Sequence, residues 1–144
     1  MDQKTTGELI QLLSSAKNIS DLKQYTDALA DMTSSVTFPE YLNELMCARS
    51  MTSSRLISEA PIQRNYGYQI LDGRRNSSRD KVISLCLALK LELPETQRAL
   101  TLTKNGQLYS KNKRDSILIF ALKKKLSVID TNVLLEEMNE PVLN

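Results

Sequence analysis

Residues 52–73 of the chain read TSSRLISEAPIQRNYGYQILDG, and this stretch decides the fold. Thr52 or Ser53 can cap a first short helix, because short polar side chains satisfy the free N–H groups at a helix start. A proline-containing turn follows, and Gly73 suits the left-handed residue that closes a second helix. The spacing therefore predicts a helix, a tight turn and a second helix at about 64–72.

Helical patterns continue on both sides of this stretch. Capping residues and apolar spacing predict further helices at 5–16, 21–32, 37–50, 79–89, 94–103, 109–125 and 128–138. The apolar run ILIFAL at 117–122 could alone be a buried strand, but the charged residues that flank it at helical spacing favour a helix. The helix at 79–89 is apolar on nearly every side and is predicted to be central. The predicted fold class is all-α, with an N-terminal helical arm (1–34), a central domain (35–103) and a C-terminal helical extension packed on the core (104–144).

Length and composition agree with this fold class. The chain has 144 residues, which suit one ordinary domain or a small domain with helical extensions. Glycine and proline are sparse, at four each, which favours helices. The longest apolar run is far too short to span a bilayer, and the first ten residues lack the pattern of a signal peptide. We therefore expect a cytoplasmic protein without a membrane segment.

Patterns for catalysis or metal binding are poor. The chain has no histidine, no CxxC pair and no glycine-rich loop. Ser78 and Lys81 match the S-x-x-K pattern of a serine–lysine nucleophile, but Ser77 or Ser78 is placed to cap a helix and the companion motifs are missing. Cys47 and Cys86 lie singly on predicted helices, which predicts unpaired buried thiols rather than a disulfide. We expect no enzyme, no metal site and no cofactor.

Charge is strongly segregated along the chain although the net charge is only +2. Residues 52–82 hold six basic and three acidic side chains, and residues 104–125 hold seven basic and one acidic. Residues 126–144 hold four acidic side chains and no basic one. Basic charge concentrated in middle segments is typical of proteins that bind nucleic acid. The basic side chains of 111–125 have three interpretations: a solvated face, an extended phosphate contact, or a partner for the acidic C-terminal helix.

The stretch 52–73 resembles the lambda repressor and Cro-like helix-turn-helix family, also called the XRE family. The residues that carry the likeness are Leu56, Ile62, Gln63, Arg64, Asn65, Ile70 and Gly73. The run RRNSSRDKVISLCLAL at 74–89 is similar to the family's basic loop and fourth helix, and YGYQILDGRRNSSRDK is similar to a bacterial subfamily. The resemblance implies a lambda-repressor-like five-helix core, whose second and third helices form the DNA-reading unit, with helical extensions at both ends.

The exposed residues of this unit are the candidate site. Base-contacting candidates at the start and on the outer face of the recognition helix are Gln63, Arg64, Asn65, Tyr68 and Gln69. Arginine can pair with guanine, and asparagine or glutamine with adenine. Phosphate-contacting candidates are Ser53, Arg74, Arg75, Arg79 and Lys81, which would fix the register on DNA without reading its sequence.

Four residues depart from the family pattern. Ile57 stands where alanine is usual, Pro61 where the turn usually has glycine, and Gly67 where a buried isoleucine or valine is common. These differences predict an altered spacing of the two helices and less core at Gly67. Asp72 would face a phosphate unfavourably if it pointed at DNA. Pro61, Gly67 and Asp72, together with the apolar helices predicted in the arm at 1–34, motivate an alternative function, a protein–protein interaction module on the same fold with lost or reduced DNA binding.

The sequence thus leads to two hypotheses. The first is a bacterial cytoplasmic transcription regulator that binds double-stranded DNA as a homodimer, with the helix at about 64–72 in the major groove. The terminal segments 1–34 and 104–144 would then supply contacts to a second copy or to a protein partner. The alternative hypothesis is the interaction module, for which a stable protein partner and no affinity for DNA would be expected.

Overall fold

The computed structural model describes residues 36–144, and this part of the chain is entirely helical. Its seven helices are α1 (Phe38–Ala48), α2 (Ser53–Glu59), α3 (Arg64–Leu71), α4 (Arg79–Ala88), α5 (Leu93–Leu102), α6 (Lys113–Lys123) and α7 (Val128–Glu137). The all-α prediction is confirmed for these residues, and 117–122 lies inside α6 rather than in a strand. Residues 38–144 form one compact unit. The helices predicted at 5–16 and 21–32 lie outside the described residues.

Short polar side chains begin α2, α4 and α7, as their positions in the sequence predict. The side-chain oxygen of Thr52 accepts a hydrogen bond from the Arg55 N–H at 3.2 Å. Ser78 does the same at the start of α4 and Ser127 at the start of α7. Each such cap stabilises its helix by about 1 kcal/mol. The sequence left two candidate capping residues at the start of α2 and two at the start of α4. The structure selects Thr52 over Ser53 and Ser78 over Ser77.

The ends of α2 and α3 differ in backbone conformation. Gly73 follows α3 with a φ of +85°, the left-handed conformation that glycine adopts without strain. The turn between α2 and α3 contains no residue with positive φ. Pro61, whose ring holds φ near −65°, therefore fits this turn although the family pattern has glycine there.

The core is organised around α4. Residues 82–89 are all buried, which confirms the prediction of a central helix. Helix α4 packs against α2, α5 and α7, while α1 packs against α3 and α5. Helix α6 packs against α5 and α7, so the C-terminal helices share the compact unit with the preceding five. No helix within residues 36–144 is long and apolar enough to cross a membrane.

The two cysteines are free, but only one of them is buried. Cys86 lies within the buried face of α4, and burial raises the pKa of its thiol to about 12. Cys47 is exposed, so the prediction that it is buried was wrong. The reason is its position on α1, whose inward face is formed by Tyr41, Leu42 and Leu45 instead.

Candidate nucleic-acid interface

Helices α2 and α3 pack against each other across a short turn. Leu56 of α2, Ile62 of the turn and Ile70 of α3 are buried, as the family pattern expects. These contacts fix α3 by its inner face. Its outer face, which carries the candidate base-contacting residues, remains accessible at its start.

Two departures from the family pattern compensate each other at this junction. A Cβ atom built on Gly67 would lie only 2.8–3.0 Å from the side-chain carbons of Ile57. The larger residue on α2 therefore occupies the volume that the smaller residue on α3 leaves free. The predicted loss of core at Gly67 is corrected by this contact, because Ile57 is itself buried and fills the space.

The start of α3 presents three polar residues. Gln63 caps the helix, since its side-chain oxygen accepts a hydrogen bond from the Tyr66 N–H at 2.8 Å. Arg64 and Asn65 are exposed, and the Arg64 guanidinium lies 5.8 Å from the centre of the Tyr68 ring. Within residues 36–144 the Asn65 side chain makes no hydrogen bond, so its amide can both donate and accept. Tyr68 is half-buried beside Arg64.

Gln69, Tyr66 and Arg75 form a cluster at the far end of α3. The Arg75 Nε donates to the side-chain oxygen of Gln69 at 2.9 Å, and the Arg75 N–H donates to the Gln69 carbonyl at 3.2 Å. The Arg75 guanidinium also lies 5.3 Å from the centre of the Tyr66 ring. These contacts orient Arg75 against the helix while its side chain stays at the surface.

Asp72 is neutralised by its neighbour two residues on. Its carboxylate accepts hydrogen bonds from the Arg74 side chain at 2.7 Å and from the Arg74 N–H at 3.0 Å. The hydrogen bond from the Arg74 side chain lowers the pKa of Asp72. An anion approaching this end of α3 therefore meets an Arg74–Asp72 pair rather than a lone carboxylate.

Arg79 is built into the fold. Its guanidinium donates to both carboxylate oxygens of Asp115, at 2.9 and 2.8 Å, and to the carbonyls of Gly106 and Gln107, at 2.8 and 3.0 Å. The Asp115 side chain is only 7% exposed. A guanidinium with these four acceptor atoms joins the start of α4 to the start of α6, which favours a structural role for Arg79 over the phosphate contact that the sequence predicts.

Arg114 and Asp80 form a second ion pair between α4 and α6, beside the pair of Arg79 with Asp115. The Arg114 guanidinium donates to both carboxylate oxygens of Asp80 at 3.0 Å. This arrangement was not predicted, although the sequence holds a signal for it, since an Arg-Asp dipeptide lies in the first turn of both α4 (79–80) and α6 (114–115). Burial raises the pKa of Asp80 and of Asp115. The hydrogen bonds from their arginine partners and from the backbone N–H groups of Asn144 and Tyr109, together with the arginine charges, outweigh burial and leave both pKa values lowered.

The remaining phosphate candidates lie at helix starts. Ser53 is the first residue of α2 and is half-buried. Lys81 lies in the first turn of α4, and in the described part of the chain its ammonium makes no ion pair. Ser77, in the loop before α4, is buried and its hydroxyl has no hydrogen-bond partner among residues 36–144. Apart from Arg79, the cations on the loop and helix start that follow α3 are Arg74, Arg75 and Lys81.

The basic side chains of 111–125 differ in their surroundings. Lys113 donates to the Met138 carbonyl at 2.7 Å and lies 3.8 Å from the Glu140 carboxylate, so this lysine meets the acidic C-terminal segment of its own chain. Lys125 donates to the Lys90 carbonyl, and Lys90 donates to the Lys125 carbonyl. Lys123 and Lys124 are exposed.

Comparison with known protein families, with curated proteins and with solved structures finds no match to this chain. In residues 36–144 no group of three or more histidine, cysteine, aspartate or glutamate side chains is placed to hold a metal ion. The arrangement of α2, α3 and the loop that follows is therefore the basis on which a function is proposed.

Proposed function

We propose that the protein is a bacterial, cytoplasmic transcription regulator that binds specific DNA sequences as a member of the XRE family. In this proposal α1–α5 are the lambda-repressor-like five-helix core, and α3 enters the major groove. The observation that carries the proposal is the exposure of Arg64 and Asn65 at the start of a helix whose inner face is anchored by α2.

The contacts at α3 assign different roles to the candidate base readers. The Asn65 amide makes no hydrogen bond within residues 36–144, so it can make the paired donor and acceptor contacts that identify adenine. Arg64 is exposed and can pair with guanine, with Tyr68 alongside to limit its conformations. Gln63 and Gln69 already use their side-chain oxygens within the protein, which leaves mainly their NH₂ groups for bases.

Phosphate contacts would come from the loop after α3 and the adjacent helix starts. Arg75 is held against Gln69 and Tyr66 and makes no ion pair among the described residues, so it is the strongest candidate. Lys81 and Ser53 lie at helix starts, and Arg74 shares its charge with Asp72. Arg79 is left out of the proposed interface because its donors are used by Asp115 and two carbonyls.

Two sequence differences that motivated the interaction-module alternative are accommodated within a DNA-reading unit. Ile57 and Gly67 compensate each other, and Asp72 is paired with Arg74. Neither difference therefore requires DNA binding to be lost. Two copies of the chain would read half-sites one helical turn apart, about 34 Å, as symmetric dimers of such proteins do.

The proposal predicts sequence-selective binding that weakens steeply with salt. Selection of bound duplexes from a random pool should yield an enriched motif, and fluorescence anisotropy should give a negative slope of log affinity against log salt concentration. Arg64→Ala and Asn65→Ala should relax the motif, each by about 1–3 kcal/mol of discrimination. Arg75→Ala should weaken all duplexes alike and reduce the salt slope by about one.

The matched control is Lys111→Ala, which removes an exposed charge outside α3 and its loop. It should leave both the motif and the salt slope unchanged. Failure to enrich any duplex at low salt would overturn the proposal. A loss of sequence preference in Arg75→Ala, with none in Arg64→Ala, would show that α3 does not lie in the groove as proposed.

A further inference from the structure

Residues 79–109 and residues 114–144 share one order of elements, at a spacing of 35 residues along the chain. In each segment a first helix (α4 or α6) is followed by a second helix (α5 or α7) and by a closing loop, which is 103–109 or 138–144. Helices α5 and α7 begin and end at equivalent positions, and α4 and α6 end at equivalent positions. The identical residues at equivalent positions are Arg79 and Arg114, Asp80 and Asp115, Leu87 and Leu122, Lys90 and Lys125, Leu91 and Leu126, Thr96 and Thr131, Leu100 and Leu135, and Leu108 and Leu143.

The backbone of the two segments changes direction at equivalent residues. Lys90 after α4 and Lys125 after α6 both have a φ of +57°. Lys104 and Asn139, early in the closing loops, both have a φ of +59°. Left-handed backbone is uncommon in residues other than glycine. Its recurrence at these four positions therefore indicates that the two segments follow the same path.

Each closing loop is held by the helices of its own segment in the same way. Arg79 and Arg114 each donate to the two carbonyls that lie 27 and 28 residues further along the chain. The amide oxygen of Gln97 accepts a hydrogen bond from the N–H 11 residues further on at 2.7 Å, and the amide oxygen of Asn132 does the same at 2.8 Å. In both loops that N–H belongs to a buried leucine.

The two segments pair about an approximate two-fold axis. At the starts of α4 and α6, the arginine of each segment pairs with the aspartate of the other. The N–H groups of Tyr109 and Asn144 likewise each donate to the aspartate of the other segment. At the helix ends, Lys90 donates to the Lys125 carbonyl at 3.1 Å and Lys125 donates to the Lys90 carbonyl at 2.9 Å. Helix α4 packs against α7, and α6 packs against α5. Contacts exchanged in this way are characteristic of a two-fold interface between identical subunits.

We propose that residues 79–109 and 114–144 are two copies of one self-complementary unit, and that the partner which the pairing surface of this unit fits is a second copy of the same unit. In this chain the second copy is supplied internally, so α6 and α7 take the place that a partner subunit would occupy. A second copy of the wild-type chain therefore has to bind at another surface. The pairing is independent of DNA binding, because none of the contacts that carry it involves α2 or α3.

A full-length chain in which residues 114–144 are replaced by a second copy of residues 79–109 tests the self-complementarity. Both segments have 31 residues (109 − 79 + 1 and 144 − 114 + 1), so the chain length and the linker 110–113 are unchanged. The unit then faces a copy of itself, and the chain should keep its helical circular dichroism and the sedimentation behaviour of the wild-type chain. Its urea unfolding should stay cooperative, with a midpoint no lower than about half the wild-type midpoint.

The matched control carries the same inserted residues at 114–144 in scrambled order. It should lose helical signal and unfold without a cooperative transition, because the reciprocal contacts cannot form. A duplicated chain that behaves like this control would overturn the proposal. A duplicated chain that folds but associates beyond the wild-type state would also overturn it, because the two copies would then not pair within one chain.

Double-mutant cycles in the wild-type chain test the exchange of contacts between the segments. Asp115→Asn should lower the urea midpoint, and this shift should fall to less than about half in an Arg79→Ala background. The shift should persist in an Arg114→Ala background. Asp80→Asn should show the opposite dependence on the two arginines. If each aspartate depends instead on the arginine of its own segment, or on neither arginine, the two-fold pairing is wrong.

Discussion

The junction between α2 and α3 and the junction between the starts of α4 and α6 hold helices together by different physics. At the first, Ile57 fills the volume beside Gly67, and the arginines lie on the outside. At the second, Arg79 and Arg114 turn inward to the carboxylates of Asp115 and Asp80. The α2–α3 junction is closed by complementary shape, and its arginine side chains stay exposed. At the α4–α6 junction the arginine side chains pair with carboxylates within the fold.

The difference between exposed and paired arginines is clearest in the run RRNSSRD at 74–80, where three arginines occur within six residues. Arg75 and Arg79 look alike in a charge pattern. Arg75 contacts only groups at the surface of α3, while Arg79 reaches Asp115, 36 residues away in the chain. Basic residues that look alike in the sequence are therefore divided into exposed side chains and structural contacts by what folds back against them.

The largest effect that separates the two junctions is expected from Arg79→Ala. It leaves the Asp115 carboxylate buried without its partner, which costs about 3 kcal/mol of the free energy of unfolding. Arg75→Ala, the matched control, should cost about 0.5 kcal/mol or less, because Arg75 is at the surface. Urea denaturation of the two variants measures both. A stable Arg79→Ala chain with weakened DNA affinity would reverse our assignment and make Arg79 a phosphate contact.

The next effect concerns the junction closed by shape. Gly67→Ala should destabilise the wild-type chain by about 1–2 kcal/mol, because the crowding against Ile57 exceeds the gain in helix propensity. In an Ile57→Ala background the same change should instead be neutral or stabilise by up to about 1 kcal/mol, since the space is then empty. A double-mutant cycle of unfolding free energies measures this reversal of sign. If Gly67→Ala stabilises the wild-type chain, the close contact does not govern this junction.

The smallest effect is the response of the charged junction to acid. The pKa of Asp80 and of Asp115 is lowered in the fold, because burial, which raises it, is outweighed by the arginine and backbone hydrogen bonds together with the arginine charges. Their stabilisation is therefore fully present above the unfolded carboxyl pKa of about 4 and is lost as the pH falls through the folded values. Denaturation midpoints followed from neutral pH downward should show a steeper acid limb in the wild-type chain than in Asp80→Asn.

Asp72→Asn supplies the comparison from the other junction. Its pKa is also lowered, by the hydrogen bond from Arg74, but the pair is exposed to solvent and contributes little to stability. This variant should therefore keep the wild-type acid limb. Equal flattening in Asp72→Asn and Asp80→Asn would mean that the two junctions do not differ in how they use charge.

Much of the local structure was predictable from the residues, because the forces that decide it act within one turn of a helix. Thr52 and Ser78 cap because their side chains reach an N–H three residues on. Gly73 takes the left-handed conformation that other residues resist. The choice between Ser77 and Ser78 was open in the sequence, since both are short and polar and only backbone geometry distinguishes them.

The candidate site was predictable in part. Arg64 and Asn65 are exposed at a helix start, as the pattern indicated, whereas Arg79 is a structural residue. The compensation between Ile57 and Gly67 could not be derived from either residue alone, because it depends on the distance between two helices. The exposure of Cys47 was not predicted either, because helical spacing does not specify which face of α1 the other helices cover.

The sequence by itself determined that residues 36–144 form helices, roughly where each begins and ends, and that 82–89 lies at the centre. Caps, apolar periods and left-handed end residues are local, so they can be read along the chain. Only the tertiary structure decided which arginine is bound within the fold, which small residue accepts a large neighbour, and which apolar residues of α7 stay uncovered. Those outcomes depend on contacts between residues far apart in the chain. The residue pattern of one helix does not specify which other helix packs against it.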